Sequence, residues 1–374
     1  MKSYLKINNI ILIITLLTTG CTTTQKRDLS SFSHKDAACY DRKNEPYTSI
    51  VDTHIHFRAF GGQSIPFTEI NEYFNKTGIL FANVYGIGQI LPVDSPCTYY
   101  LDCPGIPAAP SIKNDFVNAA NLVEHGPKGV VLTLSMTFPD LSSPHNIVEL
   151  INLYDKEYPN LFKWMGEVNL IKQALIPNHH MPASREDISQ WADFMFILKK
   201  RDIPINIHAD LGNDTEPTKY LSLMEYVLSL YPDNKIVWAH MGLSKELKGM
   251  NPVEHIRIMQ SVLNNYPNLM LDISWRVLYD TYFINPEART LYVEFFNRNS
   301  KRILPGTDFV ASRKKQFSIY QEELEVVSRI NQYLDDEAFR NIALGENYFR
   351  LLGLNYQAPK ICSRTAVDVS VETQ

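Results

Sequence analysis

Two histidines in alternate positions, His54 and His56, come directly after the apolar run Ser49–Thr53. In extended chain, alternate side chains point to one face, so these two imidazoles can share a metal ion. With 10 histidines in 374 residues, a chance His-x-His is a roughly one-in-four event, so the pair needs company. Four further residues supply it, each closing an apolar run. Glu167 follows Trp164-Met165-Gly166, His208 follows Ile205-Asn206-Ile207, His240 follows Val237-Trp238-Ala239, and Asp308 follows Pro305-Gly306-Thr307. A lone histidine in such a place is ordinarily a satisfied core or loop residue. Six metal-capable side chains at the ends of strands are hard to explain as independent accidents, because parallel-strand barrels build their active sites at that end. Mixed imidazole and carboxylate ligands suit Zn2+ best, and also fit Mn2+, Fe2+ or Co2+.

These residues need a scaffold, and the chain carries a regular one. Short apolar runs suited to buried parallel strands are Ser49–Thr53, Ile79–Val84, Gly129–Ser135, Phe162–Glu167, Ile203–His208, Lys235–His240, Leu269–Ser274 and Arg302–Gly306. Between most of them lie segments with helical spacing: Asp187–Arg201, Pro217–Leu230, Pro252–Asn265 and Pro286–Asn297. Pro217, Pro252 and Pro286 stand where a first helical turn would begin, a position that tolerates proline. Eight strands alternating with helices predict a parallel sheet closed into a (β/α)8 barrel. A doubly wound open sheet competes, since spacing alone does not prove closure. The span from Ser49 to Leu354 exceeds the typical ~250 residues of such a barrel, so extended loops are expected. The clearest is Gly86–Pro110, rich in Pro, Cys and Tyr.

With these residues in place, the chain resembles the amidohydrolase superfamily, most closely its amidohydrolase-related branch. The resemblance runs from Val51-Asp52-Thr53-His54-Ile55-His56 to Ile342-Ala343-Leu344-Gly345-Glu346-Asn347-Tyr348-Phe349-Arg350-Leu351-Leu352-Gly353-Leu354, about four-fifths of the chain. It implies a (β/α)8 barrel and a divalent metal cofactor, one ion or two. Carried over residue by residue, His54, His56 and Asp308 would bind the more buried ion. His208 and His240 would bind a second, or position substrate in a one-metal variant. Many relatives have a carboxylated lysine where this chain has Glu167. A glutamate can bridge two cations unaided; the alternative is an ion pair beside a single-metal site. Asp308 would take the proton of the attacking water and return it to the leaving group, with His240 stabilising the developing oxyanion.

Two arginines are candidate substrate contacts. Arg58 continues the pattern as His54-x-His56-x-Arg58, and relatives such as dihydroorotases use an arginine there to hold a carboxylate, which the guanidinium fork suits. Arg276, in Asp272-Ile273-Ser274-Trp275-Arg276, is the second. Ion pairing with a loop carboxylate is the equal alternative for both. Trp275 is either a pocket wall or barrel packing, and His179-His180 are either rim or solvated loop. The expected reaction is hydrolysis of a small ester, lactone, amide or phosphoester. Non-oxidative decarboxylation with one metal is the second reading, and a non-catalytic surface-anchored binding protein the third.

Composition bounds the rest. The chain is 45% hydrophobic and 21% charged with net charge -5, ordinary for a globular domain and offering nothing to nucleic acid. The basic run Arg313-Lys314-Lys315 is short. Lys2 and Lys6 precede the apolar stretch Ile10–Leu17 and then Thr18-Thr19-Gly20-Cys21. That pattern describes a secretory signal over residues 1–21, too short to span the roughly 30 Å hydrocarbon layer. Its end resembles a bacterial lipoprotein cleavage site with Cys21 lipidated, departing from the usual pattern in having Thr18 rather than Leu. Residues 22–48 read as a polar tether, 49–354 as the barrel, and 355–374 as a C-terminal tail. An exported protein of the periplasm or cell envelope, touching the membrane only through a lipid anchor, would sit in an oxidising compartment. There Cys97 can pair with Cys103 and Cys39 with Cys362, against the alternative of four free thiols.

Overall fold

The computed structural model of the protein describes residues 27–33, 38–45, 47–92 and 94–363. Nine parallel strands form one curled sheet: β1 (Val51–His56), β2 (Phe81–Tyr85), β3 (Val131–Met136), β4 (Phe162–Ile171), β5 (Ile205–Ala209), β6 (Ile236–Trp238), β7 (Leu269–Asp272), β8 (Ile303–Leu304) and β9 (Phe309–Val310). From β1 to β8 each strand pairs with its predecessor in the chain, and β9 pairs with β1. The two edges of the sheet, β8 and β9, are therefore almost consecutive in sequence. Between them the Thr53 amide donates to Pro305 O at 3.1 Å and the Asp308 amide to His54 O at 2.8 Å.

Helices cover the outside in the order the spacing predicts: α1 (Phe67–Thr77), α2 (Lys113–His125), α3 (Ile147–Glu157), α4 (Ala192–Lys200), α5 (Leu221–Leu230), α6 (Pro252–Asn265), α7 (Pro286–Arg298) and α8 (Phe317–Ser328). The starts of α6 and α7 follow local chemistry. Proline occupies the first position, and Asn251 and Asn285 accept from the first free amides of each helix, a cap that contributes about 1 kcal/mol. Pro217 does not start a helix: α5 begins four residues later, at Leu221. The helix expected over 187–201 is two, broken at Gln190, with Arg185–Ser189 held by a Ser184/Asp187 capping box.

The ends of the chain depart from expectation. The stretch read as a tether packs, in its described part, at the end of the curled sheet where the strands begin, because it carries aromatic residues that have a partner there. Phe32 is fully buried, edge-on to Phe81 at 5.5 Å and Phe349 at 6.1 Å. Tyr40 bridges to Ile361 and packs on Phe339. Residues 355–363 are equally docked: the Gln357 amide donates to Phe32 O and the Cys362 amide to Tyr40 O. Cys39 is bonded to Cys362, and Cys97 to Cys103. The signal segment 1–21 with Cys21, and the tail beyond residue 363, lie outside the described residues. Among the described residues no helix is long and apolar enough to cross a membrane.

Candidate metal centre

The site sits where the strands end. His54 and His56 are the fourth and last residues of β1, so both lie inside the strand and point to one face, with their Nε2 atoms 3.3 Å apart. Opposite them is Asp308, in the four-residue gap between β8 and β9, its Oδ1 3.3 Å from His56 Nε2 and 3.6 Å from His54 Nε2. Glu167 in β4 lies between: its Oε2 is 3.5 Å from His56 Nε2 and 3.9 Å from His54 Nε2. Its other oxygen, Oε1, contacts His208 Nδ1 and is 3.6 Å from His240 Nε2. The six residues thus make two groups of potential ligands, His54/His56/Glu167/Asp308 and Glu167/His208/His240, joined by one carboxylate.

The remote nitrogens of the imidazoles say which atoms are free to bind. His54 Nδ1 donates to Asp272 Oδ2 at 2.6 Å, His56 Nδ1 to Gly86 O at 2.6 Å, and His240 Nδ1 to Ser274 O at 3.2 Å. A carbonyl only accepts, so for His56 and His240 the proton is on Nδ1 and the Nε2 lone pair faces inward. In His208 the roles reverse, with Nε2 2.9 Å from Asp210 Oδ1 and Nδ1 facing Glu167. This is the outer-shell pattern that orients metal-binding histidines. His240 Nε2 has no hydrogen-bond partner at all, although it is buried, where an unpartnered polar atom costs about 1–3 kcal/mol.

Backbone geometry is stressed at the same place. His240, Met241, Trp275 and Asp308 all have positive φ, from 53° to 81°, a region costing of order 1–3 kcal/mol for such residues. Gly306 lets the loop before Asp308 close in, since a Cβ there would stand 2.8 Å from His54 Cβ. The electrostatics call for cations. Burial alone would depress His56, but the carboxylates of Asp308 and Glu167 override it and raise the imidazole to about 9. His208 is pulled down by burial and by Lys172, yet Glu167 and Asp210 carry it to about 9. Glu167 and Asp308 are held well below the usual carboxylate range: burial opposes this, but Lys172 and the histidines outweigh it at Glu167, and the histidines do so at Asp308.

A cavity of about 550 Å³ opens above the cluster, walled by Phe60, Tyr99, Trp275 and Val310. The Cys97–Cys103 loop contributes Thr98, Tyr99 and Asp102 to that wall. Trp275 is a pocket wall, its ring 5.1 Å from His240, and Lys245 Nζ lies 5.0 Å from the Tyr99 ring. The two arginines behave differently from the substrate contacts expected of them. Arg58 does not line the cavity; its Nε donates to Asn114 at 3.4 Å, because the chain turns away from the strand after His56. Arg276 reaches the cavity but is committed to Asp280 and Glu322, both at 2.7 Å. His180 is buried and His179 exposed, and neither lines the cavity. Asp272, Asp210 and Lys172 are functional neighbours that the strand-end pattern does not single out. Asp272 also ends a strand, which was the available signal.

Residues 169–354 match the family model described as amidohydrolase. That stretch contains His208, His240 and Asp308; His54, His56 and Glu167 precede it and join the centre through the fold. Among curated proteins none matches. A zinc-bound amidohydrolase from Burkholderia multivorans is similar in structure, with 10% identity and a TM-score of 0.51, covering 81% of this chain and 99% of the other. Dihydroorotase from Saccharomyces cerevisiae, solved with 5-fluoroorotic acid, has 11% identity and a TM-score of 0.47 over 79% of this chain and 87% of its own. Dihydroorotase from Campylobacter jejuni has 13% identity and a TM-score of 0.44 over 76% and 82%. Over residues 169–354, just under half of its length, this chain is similar to the amidohydrolase family, and the match supports an enzyme of that type.

Proposed function

We propose that the protein is an exported, metal-dependent hydrolase acting on a small ester, lactone, amide or phosphoester. We read residues 303–310 as one interrupted eighth strand that closes a (β/α)8 barrel around this centre. The observation that carries the function is the convergence of four imidazole nitrogens on the Glu167 and Asp308 carboxylates, with an acceptor behind each ring. Such a donor set fits a divalent cation, Zn2+ foremost. The unpartnered, buried Nε2 of His240 is what a ligand atom looks like before its ion arrives.

Glu167, His54, His56 and Asp308 would hold one ion, and His208 and His240 with Glu167 a second. A divalent cation there supplies Lewis acidity and lowers the pKa of water toward neutrality. Asp308 faces both the ligands and the cavity, so it is placed to accept the water's proton and pass it to the leaving group. His240, protonated on Nδ1, would act as a ligand; the oxyanion role expected of it needs a proton on Nε2. Tyr99, Phe60 and Trp275 restrict water around the reacting group and shape the entry for substrate.

Elemental analysis of the purified protein tests the reading. One or two equivalents of divalent metal are expected, with metal and esterase or lactonase turnover lost in His208→Ala and Asp308→Ala. A protein that takes up no metal under any loading condition overturns it. Two disulfides among the described residues support export to an oxidising compartment, with Cys21 as the lipid anchor. Cell fractionation should recover the protein with the envelope; recovery in the cytosol with free thiols would refute export.

A further inference from the structure

We infer that Lys172 is an internal cation that competes with metal for Glu167, so that the centre binds one ion tightly and a second only weakly. This rests on the metal-dependent reading above and goes on to its stoichiometry. The Lys172 ammonium donates to both oxygens of Glu167, at 3.1 Å and 3.2 Å. The contact is not a surface accident: the lysine side chain is 13% exposed and the glutamate 4%. Its position follows from β4, the ten-residue strand that carries Glu167 and ends at Ile171. The pairing of β4 with β5 slips between Asn169 and Ile171. Lys172 therefore returns over the carboxylate five residues behind it, with Nζ 5.9 Å from the centroid of the Phe60 ring.

The two ligand groups differ in how much negative charge they offer. His54, His56 and Asp308 have the Asp308 carboxylate in addition to their share of Glu167. His208 and His240 have only Glu167 within their own group; Asp210 stands behind the His208 ring, as Asp272 does behind His54, and Asp308 Oδ2 is 3.9 Å from His240 Nε2. Glu167 is the carboxylate Lys172 already neutralises, and two imidazoles bring no charge. An ion between His208 and His240 must therefore displace the ammonium from Glu167 or sit beside a like charge in a buried site, where the repulsion is little screened. An ion beside Asp308 keeps a full carboxylate partner. Lys172 also lines the cavity, so an ammonium displaced from Glu167 has room to move without leaving the site.

The test is a Zn2+ titration of the full-length protein, with free Zn2+ buffered and bound metal measured by elemental analysis. Wild type is expected to fill in two steps, the second at least ~10-fold weaker, as loss of a buried charge pair implies. Lys172→Met keeps the stem and removes the charge, and should tighten the second step about 10-fold or more and the first by less, because the first ion keeps Asp308 as a carboxylate that Lys172 does not touch. Lys172→Arg keeps the charge and should titrate like wild type. Lys172→Gln repeats the neutral variant if the methionine form does not fold. An unchanged second step in the neutral variants overturns the inference, as does wild type filling both sites with equal affinity. Neither result touches the hydrolase reading. Absence of Zn2+ binding in every form, wild type included, overturns both.

Discussion

At the scale of single residues, the cluster of candidate ligands depends on groups outside it. Asp272 is buried behind His54 and accepts from its Nδ1 at 2.6 Å, while also accepting from the Ser274 amide at 2.5 Å. It thereby sets both the tautomer of His54 and the turn that carries Trp275 into the pocket wall. Asp272→Asn keeps the shape but weakens the charge-assisted bond, and removal of such a partner typically costs 10–100-fold in metal affinity. Competition with a chelator should show that loss with little change in melting temperature; unchanged zinc affinity would remove Asp272 from the site. The strand-end rule made His54, His56, Glu167, His208, His240 and Asp308 visible in the sequence, because each closes an apolar run. It missed Asp210 and Lys172, whose importance comes from reaching back to residues already placed. Arg58, singled out by its spacing after His56 rather than by that rule, reaches Asn114 and does not line the cavity.

At the scale of elements, α6 props the left-handed turn that presents His240. His255, on α6, is buried; it donates from Nε2 to Met241 O at 2.9 Å and accepts from Tyr292 on α7 at 2.8 Å. Acceptance from Tyr292 needs the neutral ring, whereas donation to Met241 O does not. Burial lowers its pKa from 6.5 to about 4, the bond to Met241 resisting only in part. The folded protein therefore binds fewer protons here than the unfolded chain. The stabilisation is complete above pH 6.5 and is lost as pH falls toward 4, about 3 kcal/mol in all. Urea midpoints of wild type should fall over that window more steeply than those of His255→Gln. Parallel curves would mean that His255 contributes nothing to the acid limb.

At the scale of the whole molecule, the segments around Cys39 and Cys362 are joined at the end of the curled sheet opposite the candidate metal centre. The Cys39–Cys362 bond spans 323 residues, and chain-entropy reasoning gives such a loop about 5 kcal/mol as an upper figure. The six-residue separation of Cys97 and Cys103 makes that bond a local clasp on the pocket wall. Replacing Cys39 and Cys362 by serine should lower the denaturation midpoint well beyond the effect of replacing Cys97 and Cys103; equal effects would show that end-joining is not what stabilises the barrel. By itself the sequence determined the alternation of strands and helices and the six polar residues that close apolar runs, because burial forces apolar periodicity; the strand expected to end at Glu167 instead runs on to Ile171. It could not show that residues 27–33, 38–45 and 355–363 dock, since their few aromatics find partners only when these segments meet. Nor could it show Lys172 over Glu167 or Arg276 tied to Glu322. Those contacts depend on a register shift, a turn and a distant helix, and only the tertiary structure decides where a long charged side chain ends.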